Sequence, residues 1–501
     1  MSNQPLLSLA MIVKDEEFTL PLTLNYVKTL VDEIIIVDTG SKDNTIQRAK
    51  EYGAKVFEFP WQDDFSLARN FSLEQCRGKW ILVLDADEIL DQENQEKLKK
   101  LLKREELVGF KLKQVSQLDH SLNPEMRILS IVRLFPNHPA LRYVGCVHES
   151  LVCLDPSLPY YTEETDICIW HTGFVNILHP KNKKRKRNLK IHLKYLERHP
   201  EDLINRFNAA LEYFSLDYPE DAWENIEIGL KYLSKEVSLA PSFYSLGSAI
   251  KIKLKDYSKA LELADKALEI NPLFPEAHFN RGKALAGLKE YQKALENFYK
   301  AIELKEYHIF YSDHSTSTWK ALCEIGLTHF YLNNLKEAEE AFIKAINIKP
   351  DNTLLWINLA HTYRALRLVE KEEEAFRKAY SLEPWRVDIA YDLYNLLKRK
   401  LPVAEAIKPL VEVSKYNPHN LPLLKDIANL YYQDKKWLEA FAFCNKYLEL
   451  AKEETSEVLL KAGVAAFRLG KTSVAKKLWE KVHKKNPELL FTIKISELFA
   501  T

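Results

Sequence analysis

The segment WILVLDADEIL, residues 80–90, decides how the first part of the chain is interpreted. Five apolar residues are followed by three acids within four positions, Asp85, Asp87 and Glu88. A continuous apolar run of this length is typical of a strand buried in a sheet, whereas a carboxylate in a core is costly unless it is paired. The acids therefore predict a strand that ends in a functional site. Taken alone, an Asp-x-Asp pair is equally consistent with helix capping or solvation.

Short apolar runs alternate with helical patterns up to about residue 175. The strand-like runs are 6–13, 33–37, 54–59 and 80–84, and the helical patterns include 16–30 and 65–76. This alternation predicts an α/β domain with a mostly parallel, Rossmann-like sheet and helices on both faces. Ligands of such sheets bind beyond the carboxyl ends of the strands. Asp38 and Asp85 both follow predicted strands at that edge, which is where we expect a site.

The pair Asp85 and Asp87 predicts a divalent cation at this edge. On an extended backbone their side chains would share one face, about 7 Å apart. Two unpaired carboxylates held there repel, which raises the pKa of at least one of them. Mg²⁺ or Mn²⁺ relieves the repulsion and leaves coordination positions for phosphate oxygens. Glu88, by contrast, is expected to be solvated or to cap the next helix.

A repeat of 34 residues replaces the strands after about residue 200. Ala338, Glu372, Ala406 and Ala440 recur at this spacing, and a small residue lies twelve positions before each except Ala406, where the residue is Tyr394. The period is that of tetratricopeptide repeats. Eight equivalent positions predict eight helical hairpins: Ala222, Ala260, Ala294, Ala338, Glu372, Ala406, Ala440 and Ala475. Such an all-α solenoid binds peptides or partner proteins, or associates with copies of itself.

The two patterns divide the chain into three predicted parts. These are an α/β domain over residues 1–180, a basic linker helix over 181–200 and the repeats over 201–501. The linker contains KNKKRKRNLK at 181–190, for which a solvated helix face is the simpler interpretation and a contact with phosphate or an anionic partner the alternative. Nucleic acid is not expected as a partner, because no aromatic residues interleave with these charges for base stacking.

The bulk composition indicates a soluble globular protein. Lys plus Arg and Asp plus Glu each number 71, so no global field favours nucleic acid. No window approaches the roughly 18 unbroken apolar residues of a membrane span, and MSNQPLLSLAMIVKDEE lacks the basic region of a signal peptide. Six scattered cysteines without CxxC spacing fit reduced thiols in the cytoplasm better than a zinc site or disulfides.

Four motifs occur in order: SLAMIVKDEE (8–17), VDEIIIVDTGSKDNT (31–45), WQDDFSLARN (61–70) and WILVLDADE (80–88). Together they resemble the inverting family 2 glycosyltransferases of GT-A fold, and more narrowly the bacterial subgroup fused to tetratricopeptide repeats. One departure is Asp15, where the subgroup usually has Asn in a Lys-Asn-Glu-Glu string.

This resemblance implies metal-dependent transfer of a sugar from a nucleotide-diphosphate donor to a peptide, protein or glycan acceptor. Some relatives modify peptide cysteines, and others build polysaccharide or lipopolysaccharide. The repeats would recruit the acceptor.

The resemblance also implies roles for individual residues. Asp38 would accept a hydrogen bond from the N3–H of a uracil or thymine ring, with turn capping as the alternative. Arg69 would reach the base or the diphosphate, with a structural pairing to Asp64 as the alternative. Asp85 would hold the ribose or assist the metal, and Asp87 would bind the metal directly.

An inverting transfer needs a general base beside the acceptor. The segment LRYVGCVHESL (141–151) resembles the subgroup's His-Glu segment and offers Glu149 as the first candidate and His148 as the second. On a strand these neighbours would point to opposite faces, so only one would reach the site. Ordinary rim positions are the alternative for both.

Three further residues are candidates in later predicted strands. His171 ends the strand in TDICIWHTGF (165–174) and would be a third metal ligand or contact the diphosphate. A satisfied core or rim histidine is the alternative. Arg127 and Arg133 would steer phosphate or acceptor, although six positions apart on a strand they would also share a face for structural reasons.

Two other functions compete with the transferase. One is a non-catalytic scaffold in which a degenerate GT-A domain only supports the repeats; the intact set of Asp38, Arg69, Asp85 and Asp87 argues against it. The other is a nucleotidyltransferase on a similar sheet, but MIVKDEE contains no glycine for a phosphate-binding loop.

Overall fold

The computed structural model describes residues 4–117, 126–171, 181–234, 237–305, 314–453 and 455–492. The chain forms two compact units, residues 1–270 and 271–501. Within the described ranges, the first unit holds an α/β domain and five helices after it, and the second holds six helical hairpins.

The described part of the α/β domain has ten strands and four helices. The strands are β1 (Leu7–Val13), β2 (Glu33–Asp38), β3 (Lys55–Glu58), β4 (Trp80–Val83), β5 (Glu88–Ile89), β6 (Val108–Gln117), β7 (Met126–Pro136), β8 (Leu141–Val144), β9 (Ser150–Cys153) and β10 (Tyr161–His171). The helices are α1 (Leu20–Val27), α2 (Thr45–Glu51), α3 (Phe65–Gln75) and α4 (Gln92–Leu101).

Eight of these strands form one mixed sheet in the order β3-β2-β1-β4-β7-β6-β10-β5. Strands β1 to β4 are mutually parallel, β7 is antiparallel to both β4 and β6, and β10 runs parallel to β6. Strands β8 and β9 pair separately. The predicted class, a mostly parallel α/β domain followed by helical repeats, is confirmed.

Strand β1 is buried on both faces, which is why it reads as an unbroken apolar run. Leu7, Leu9 and Met11 enter one core with α1 and α4 residues, and Ala10 enters the core on the other face. In the register, Val13 pairs with Asp38 and Ala10 pairs with Val83. The ends of β2 and β4 therefore lie at the same edge, two strand spacings or about 10 Å apart.

Helices fill the described chain after the sheet. In the first unit they are α5 (Lys181–Leu196), α6 (Leu203–Ser215), α7 (Pro219–Leu230), α8 (Ala240–Lys253) and α9 (Tyr257–Ile270). In the second unit they are α10 (Pro275–Gly287), α11 (Tyr291–Glu303), α12 (Trp319–Tyr331), α13 (Leu335–Ile348), α14 (Thr353–Ala365), α15 (Val369–Leu382), α16 (Val387–Leu397), α17 (Val403–Ala406), α18 (Lys408–Tyr416), α19 (Leu421–Gln433), α20 (Trp437–Leu450), α21 (Ser456–Arg468) and α22 (Thr472–Lys485). Short 3₁₀ turns cover His314–Ser317 and Pro487–Thr492. None of the described helices is long and apolar enough to cross a membrane.

The recurring small residues of the repeat lie where helices of a hairpin touch. Seven of the eight equivalent positions are alanines with no exposed surface, and the eighth, Glu372, is 2% exposed. Its carboxylate accepts a hydrogen bond from Arg364 at 2.7 Å, and Arg364 also contacts Asp392 in the next hairpin. An ion pair thus replaces the methyl group at this one position.

The turns inside the hairpins share a left-handed residue. Positive φ angles occur at Asp217, Lys255, Lys289, Asn333, Arg367, Lys435 and Gly470. Each of these residues follows the first helix of a hairpin, where a left-handed residue ends a helix and turns the chain back. Only the last of the seven is glycine.

Candidate functional site

The acids that follow β4 lie in a turn. Strand β4 ends at Val83, Ala86 and Asp87 form a turn, and the chain resumes as β5 at Glu88. The expectation that Asp85 and Asp87 share one face of an extended strand is therefore wrong. The turn sends Asp85 and Asp87 to different partners, and this separation determines the chemistry of the edge.

A buried ionic network surrounds Asp85. Its Oδ1 accepts from Arg69 Nη2 at 2.7 Å, and its Oδ2 accepts from Arg133 Nη2 at 2.9 Å. Arg133 also donates to Glu88 at 2.7 Å, and Arg69 Nε donates to Glu149. The result is an alternating chain of charge, Glu149–Arg69–Asp85–Arg133–Glu88, and each of its five residues comes from a different strand, helix, turn or loop.

The expectation that Glu88 is solvated or a helix cap is wrong. Its side chain has no exposed surface, and it accepts from Gln114 as well as from Arg133. Its second oxygen accepts from the backbone N–H of Asp85 at 2.8 Å. Arg133 is 5% exposed and positions these carboxylates from β7, inside the sheet.

The network sets opposite pKa shifts on neighbouring acids. Burial would raise the pKa of Asp85, but the charges of Arg133 and Arg69 outweigh it and hold that pKa well below its usual range. For Glu88 burial prevails over Arg133, and the charge of Asp85 adds to it, so its pKa is raised. Asp85 is thus the ionised centre of the network.

Helix α3 positions Arg69. Asp64 caps the helix by accepting from the N–H groups of Ser66 and Leu67, so the alternative that Asp64 pairs with Arg69 is wrong. One residue on, Asn70 exchanges two hydrogen bonds with the backbone of Tyr143 at 2.8 and 2.9 Å. These two hydrogen bonds fix α3 against β8 and orient Arg69 toward the edge of the sheet.

Three buried polar atoms near these residues have no hydrogen-bond partner in the described part of the chain. They are Arg69 Nη1, Arg133 Nε and the Tyr143 hydroxyl. Burial raises the pKa of Tyr143 to about 12, so the hydroxyl keeps its proton and remains a donor. Buried donors of this kind are normally satisfied, so these three atoms are candidate contacts for a ligand.

Glu149 and His148 lie in the loop between β8 and β9, so their assignment to a strand is wrong. Gly145 and His148 both have positive φ, at 107° and 57°, which folds the loop tightly. Glu149 turns inward to Arg69 and its side chain is 11% exposed. His148 is exposed, and its ring lies 6.4 Å from that of His192 on α5.

Asp87 and His171 meet although 84 positions separate them in the sequence. Strand β5 pairs antiparallel with the end of β10, which places His171 opposite Glu88. His171 Nε2 lies 3.0 Å from Asp87 Oδ2. The hydrogen bond to Asp87 raises the pKa of His171 against the effect of burial.

This pair fits a divalent cation in part. Donor atoms at adjacent positions of an octahedral Mg²⁺ or Mn²⁺ shell, with bonds of about 2.1 Å, lie about 3 Å apart, and the Asp87–His171 atoms have that separation. The Asp85 carboxylate contacts Arg69 and Arg133 and not this pair. In the described ranges no three His, Cys, Asp or Glu side chains converge as a metal cluster. The remaining coordination positions would fall to phosphate and water.

Asp38 caps a turn in this structure. It is 3% exposed, and its carboxylate accepts from the N–H groups of Gly40 and Ser41 and from the Ser41 hydroxyl. A carboxylate has about four lone-pair positions, so one stays open. The predicted contact with a pyrimidine N3–H therefore stays a prediction that this geometry permits.

The loops after β1 and β2 are bonded to each other. Asp15 has a φ of 55°. Its carboxylate accepts a hydrogen bond from the N–H of Lys42, and its own N–H donates to Ser41 Oγ. Aspartate and asparagine both adopt positive φ and both offer this oxygen. The departure from the subgroup's Asn at this position therefore leaves the loop contact intact.

Glu16 is a site residue that the sequence did not single out. It follows β1 at the same edge, and burial raises its pKa to about 7, with the charges of Asp87, Asp43 and Asp85 adding to the shift. The signal was present, because Glu16 is one of three acids within four residues of the end of a buried strand, the pattern that identified Asp85. The side chain of Arg127 lies outside the described residues.

Known protein families match the α/β domain and the helical repeats separately. Residues 8–148 match the family model of glycosyl transferase family 2. Tetratricopeptide repeat models match residues 240–272, 275–308, 320–352, 354–384 and 457–488. The chain therefore carries a family 2 glycosyltransferase domain followed by tetratricopeptide repeats, and the resemblance inferred from the motifs is confirmed.

Three relatives illustrate the similarity. A TPR repeat-containing protein of Synechococcus elongatus is 34% identical over 231 residues, which is 44% of this chain and 51% of that protein. The SPbeta prophage-derived glycosyltransferase SunS of Bacillus subtilis is 26% identical over 242 residues, 47% of this chain and 54% of that protein. An uncharacterized glycosyltransferase of Rickettsia typhi is 39% identical over 92 residues, 18% and 31% of the two chains. The chain spans about half or less of the length of these relatives.

Proposed function

We propose that this protein is a metal-dependent, inverting glycosyltransferase that moves a sugar, as a hexosyltransferase would, from a nucleotide-diphosphate donor to an acceptor. The observation that carries the proposal is the edge of the sheet within the family 2 domain. There the Asp87–His171 pair lies beside the network of Arg69, Asp85 and Glu149. A bound Mg²⁺ or Mn²⁺ would supply neutralising charge to the departing diphosphate.

The protein's own residues take the other roles. Asp38 and the bonded loops after β1 and β2 receive the nucleotide base. Asp85, fixed by two arginines, faces the ribose with a side chain that is 34% exposed. Glu149 accepts the proton of the acceptor, and His148 is the second candidate for this step. The sugar C1–oxygen bond to the diphosphate breaks as the acceptor forms its bond to C1 from the opposite face.

The acceptor is a peptide, protein or glycan, and the repeats recruit it or associate with further copies of the chain. We place the reaction in the cytoplasm. In support, all six cysteines are free thiols, and four of them, Cys76, Cys146, Cys323 and Cys444, are buried. Free buried thiols are common in reducing compartments.

Calorimetry on the full chain tests the donor and metal roles together. UDP, GDP and dTDP are titrated with Mn²⁺ and again with EDTA, into the wild type and Asp87→Asn. We expect one nucleotide to bind, with an affinity that falls at least tenfold on chelation or in Asp87→Asn. Glu93→Gln, whose side chain is 80% exposed, serves as a charge-matched control. Wild type that binds none of the nucleotides, and hydrolyses no sugar nucleotide of a donor panel, would indicate a scaffold instead.

A further inference from the structure

Helix α5 carries an unusual charge. Residues 181–196 include eight Lys or Arg side chains and no acid. Four of them fall within the first five residues of the helix, where cations face the positive end of the helix dipole and destabilise it. Helix stability therefore does not account for the cations, and they need another reason.

Some of these cations have structural partners. Arg185 donates to Glu212 and Lys194 to Asp63, both at 2.8 Å. Lys184 and Arg187 have no ion pair among the described residues, and their spacing of three positions puts them on one face of the helix.

That face adjoins the site. The Arg187 guanidinium lies 5.0 Å from the ring of Phe65, the first residue of the helix that carries Arg69. One turn along α5, Ile191 packs with Cys146 and Val147 in the loop that ends in Glu149. Arg187 therefore lies beside the two elements that carry Arg69 and Glu149, and Lys184 lies one turn before it on the same face of α5.

The site itself has an excess of negative charge. The carboxylates of Asp85, Asp87 and Glu149 outnumber the guanidiniums of Arg69 and Arg133, which are already paired with Asp85, Glu88 and Glu149. Glu16 and Glu88 add less, because burial raises the pKa of both. A nucleoside diphosphate adds two or three more negative charges. One divalent cation does not neutralise three further charges, and Arg69 and Arg133 are already paired, so additional positive charge is expected from a neighbouring element.

We propose that Lys184 and Arg187 of α5 bind the diphosphate of the nucleotide donor. The inference rests on the proposed function and adds a phosphate-binding element outside the family 2 domain. The guanidinium fork of Arg187 matches phosphate oxygens in pairs, while Lys184 supplies a point charge. Both charges hold the diphosphate in the donor complex and stabilise it as the sugar leaves.

The test compares Lys184→Gln, Arg187→Gln and the double variant with Lys186→Gln in the full chain. Lys186 is the matched control, since it is two positions, about 200°, around the helix from Lys184 and makes the same change of charge. The probes are the nucleoside diphosphate that binds the wild type, inorganic pyrophosphate and the corresponding nucleoside. Calorimetry is run at two salt concentrations, with thermal unfolding as a check on folding.

We expect the double variant to lose at least tenfold in affinity for the diphosphate and for pyrophosphate, with a weaker dependence on salt. Nucleoside affinity and the control should change less than twofold. Unchanged diphosphate affinity in the double variant overturns the inference and leaves the proposed function standing. An equal loss for the nucleoside or for Lys186→Gln overturns it too. Absence of nucleotide binding to the wild type overturns both proposals.

Discussion

Arg69 joins two acids that are remote in the sequence: it donates to Asp85 at the end of β4 and to Glu149 in the β8–β9 loop. Within the described network, Arg69 is the only residue that bridges the turn after β4 to this loop. Its side chain is 8% exposed. Arg69 therefore couples the position of Glu149 to that of Asp85.

Replacement of Arg69 by Gln is expected to destabilise the first unit by about 3–5 kcal/mol. It leaves the buried Glu149 carboxylate without its ion-pair partner and Asp85 with Arg133 alone. Urea unfolding measures the loss. Arg48→Gln is the control, since Arg48 and Glu51 are 50% and 45% exposed and such pairs contribute at most about 1 kcal/mol. Equal effects of the two substitutions would mean that the network does not hold the edge together.

Glu149→Gln is expected to lower turnover by about 10²–10⁴-fold, the usual contribution of a general base. Donor affinity should change little, because the amide oxygen still accepts from Arg69. Steady-state kinetics and donor titration measure the two quantities. His148→Gln is the companion variant, and a large loss there with little change in Glu149→Gln would make His148 the base.

Glu16 predicts a pH dependence of stability. Its folded pKa of about 7 lies above the ordinary value of 4.5, so the ionised form is disfavoured in the native state. The native state therefore loses stability as pH rises from 4.5 to 7. In EDTA, Glu16→Gln should become more stable than wild type across this window by about 1–3 kcal/mol and remain so above it.

Chemical denaturation at pH 4.5, 6, 7 and 8 follows the difference between the two proteins. Glu93→Gln, at an 80% exposed position, should give a flat difference. If the difference in unfolding free energy between Glu16→Gln and wild type already had its full size at pH 4.5, the buried-acid explanation would be contradicted.

The family 2 domain is expected to need α5 and α6 to fold. Ile191 covers Cys146 and Val147, and Asn205 accepts from both the Cys146 thiol and His192. Removal of everything after residue 180 uncovers these side chains at about 1.5–3 kcal/mol each. A chain of residues 1–180 should aggregate or melt far below a chain of residues 1–270, as scanning calorimetry would show. Equal melting of the two chains would place the boundary of the domain at residue 180 after all.

Gly326 tests why the repeat needs small residues. A Cβ at this position would meet the Phe342 ring at 2.7 Å. Overpacking costs about 1–3 kcal/mol, which exceeds the gain of up to about 1 kcal/mol in helix propensity from Gly326→Ala. Adding Phe342→Leu should recover part of the loss in a thermal melt. No recovery in the double variant would mean that the contact with the Phe342 ring is not what excludes a side chain here.

The strands and the edge were predictable because they depend on local patterns. The apolar runs at 33–37 and 80–84 mark β2 and β4, and in a parallel sheet their ends meet at one edge, whatever the details. The 34-residue period likewise follows from a repeated local contact, as the buried alanines show.

The partners within the site were not predictable, because they come from long-range pairing. Glu88 is buried only because β7 brings Arg133 to it, and His171 meets Asp87 only through the two-residue strand β5. A two-residue strand leaves no periodic signal. One sign was available: a single arginine inside the apolar run ILSIVRLFP must have a charged partner, since a buried cation is otherwise too costly.

The left-handed turn residues of the hairpins have a consequence for how durable the array can become. Six of the seven, Asn333 and Arg367 among them, are not glycine. Glycine would relieve about 1–2 kcal/mol of steric cost in the left-handed conformation. Part of this gain would be offset, because glycine also increases the conformational entropy of the unfolded chain. Heat resistance could therefore be raised one loop at a time, without altering any helix face. The repeats therefore lie below the stability that their fold allows, as expected where selection requires sufficient rather than maximal stability.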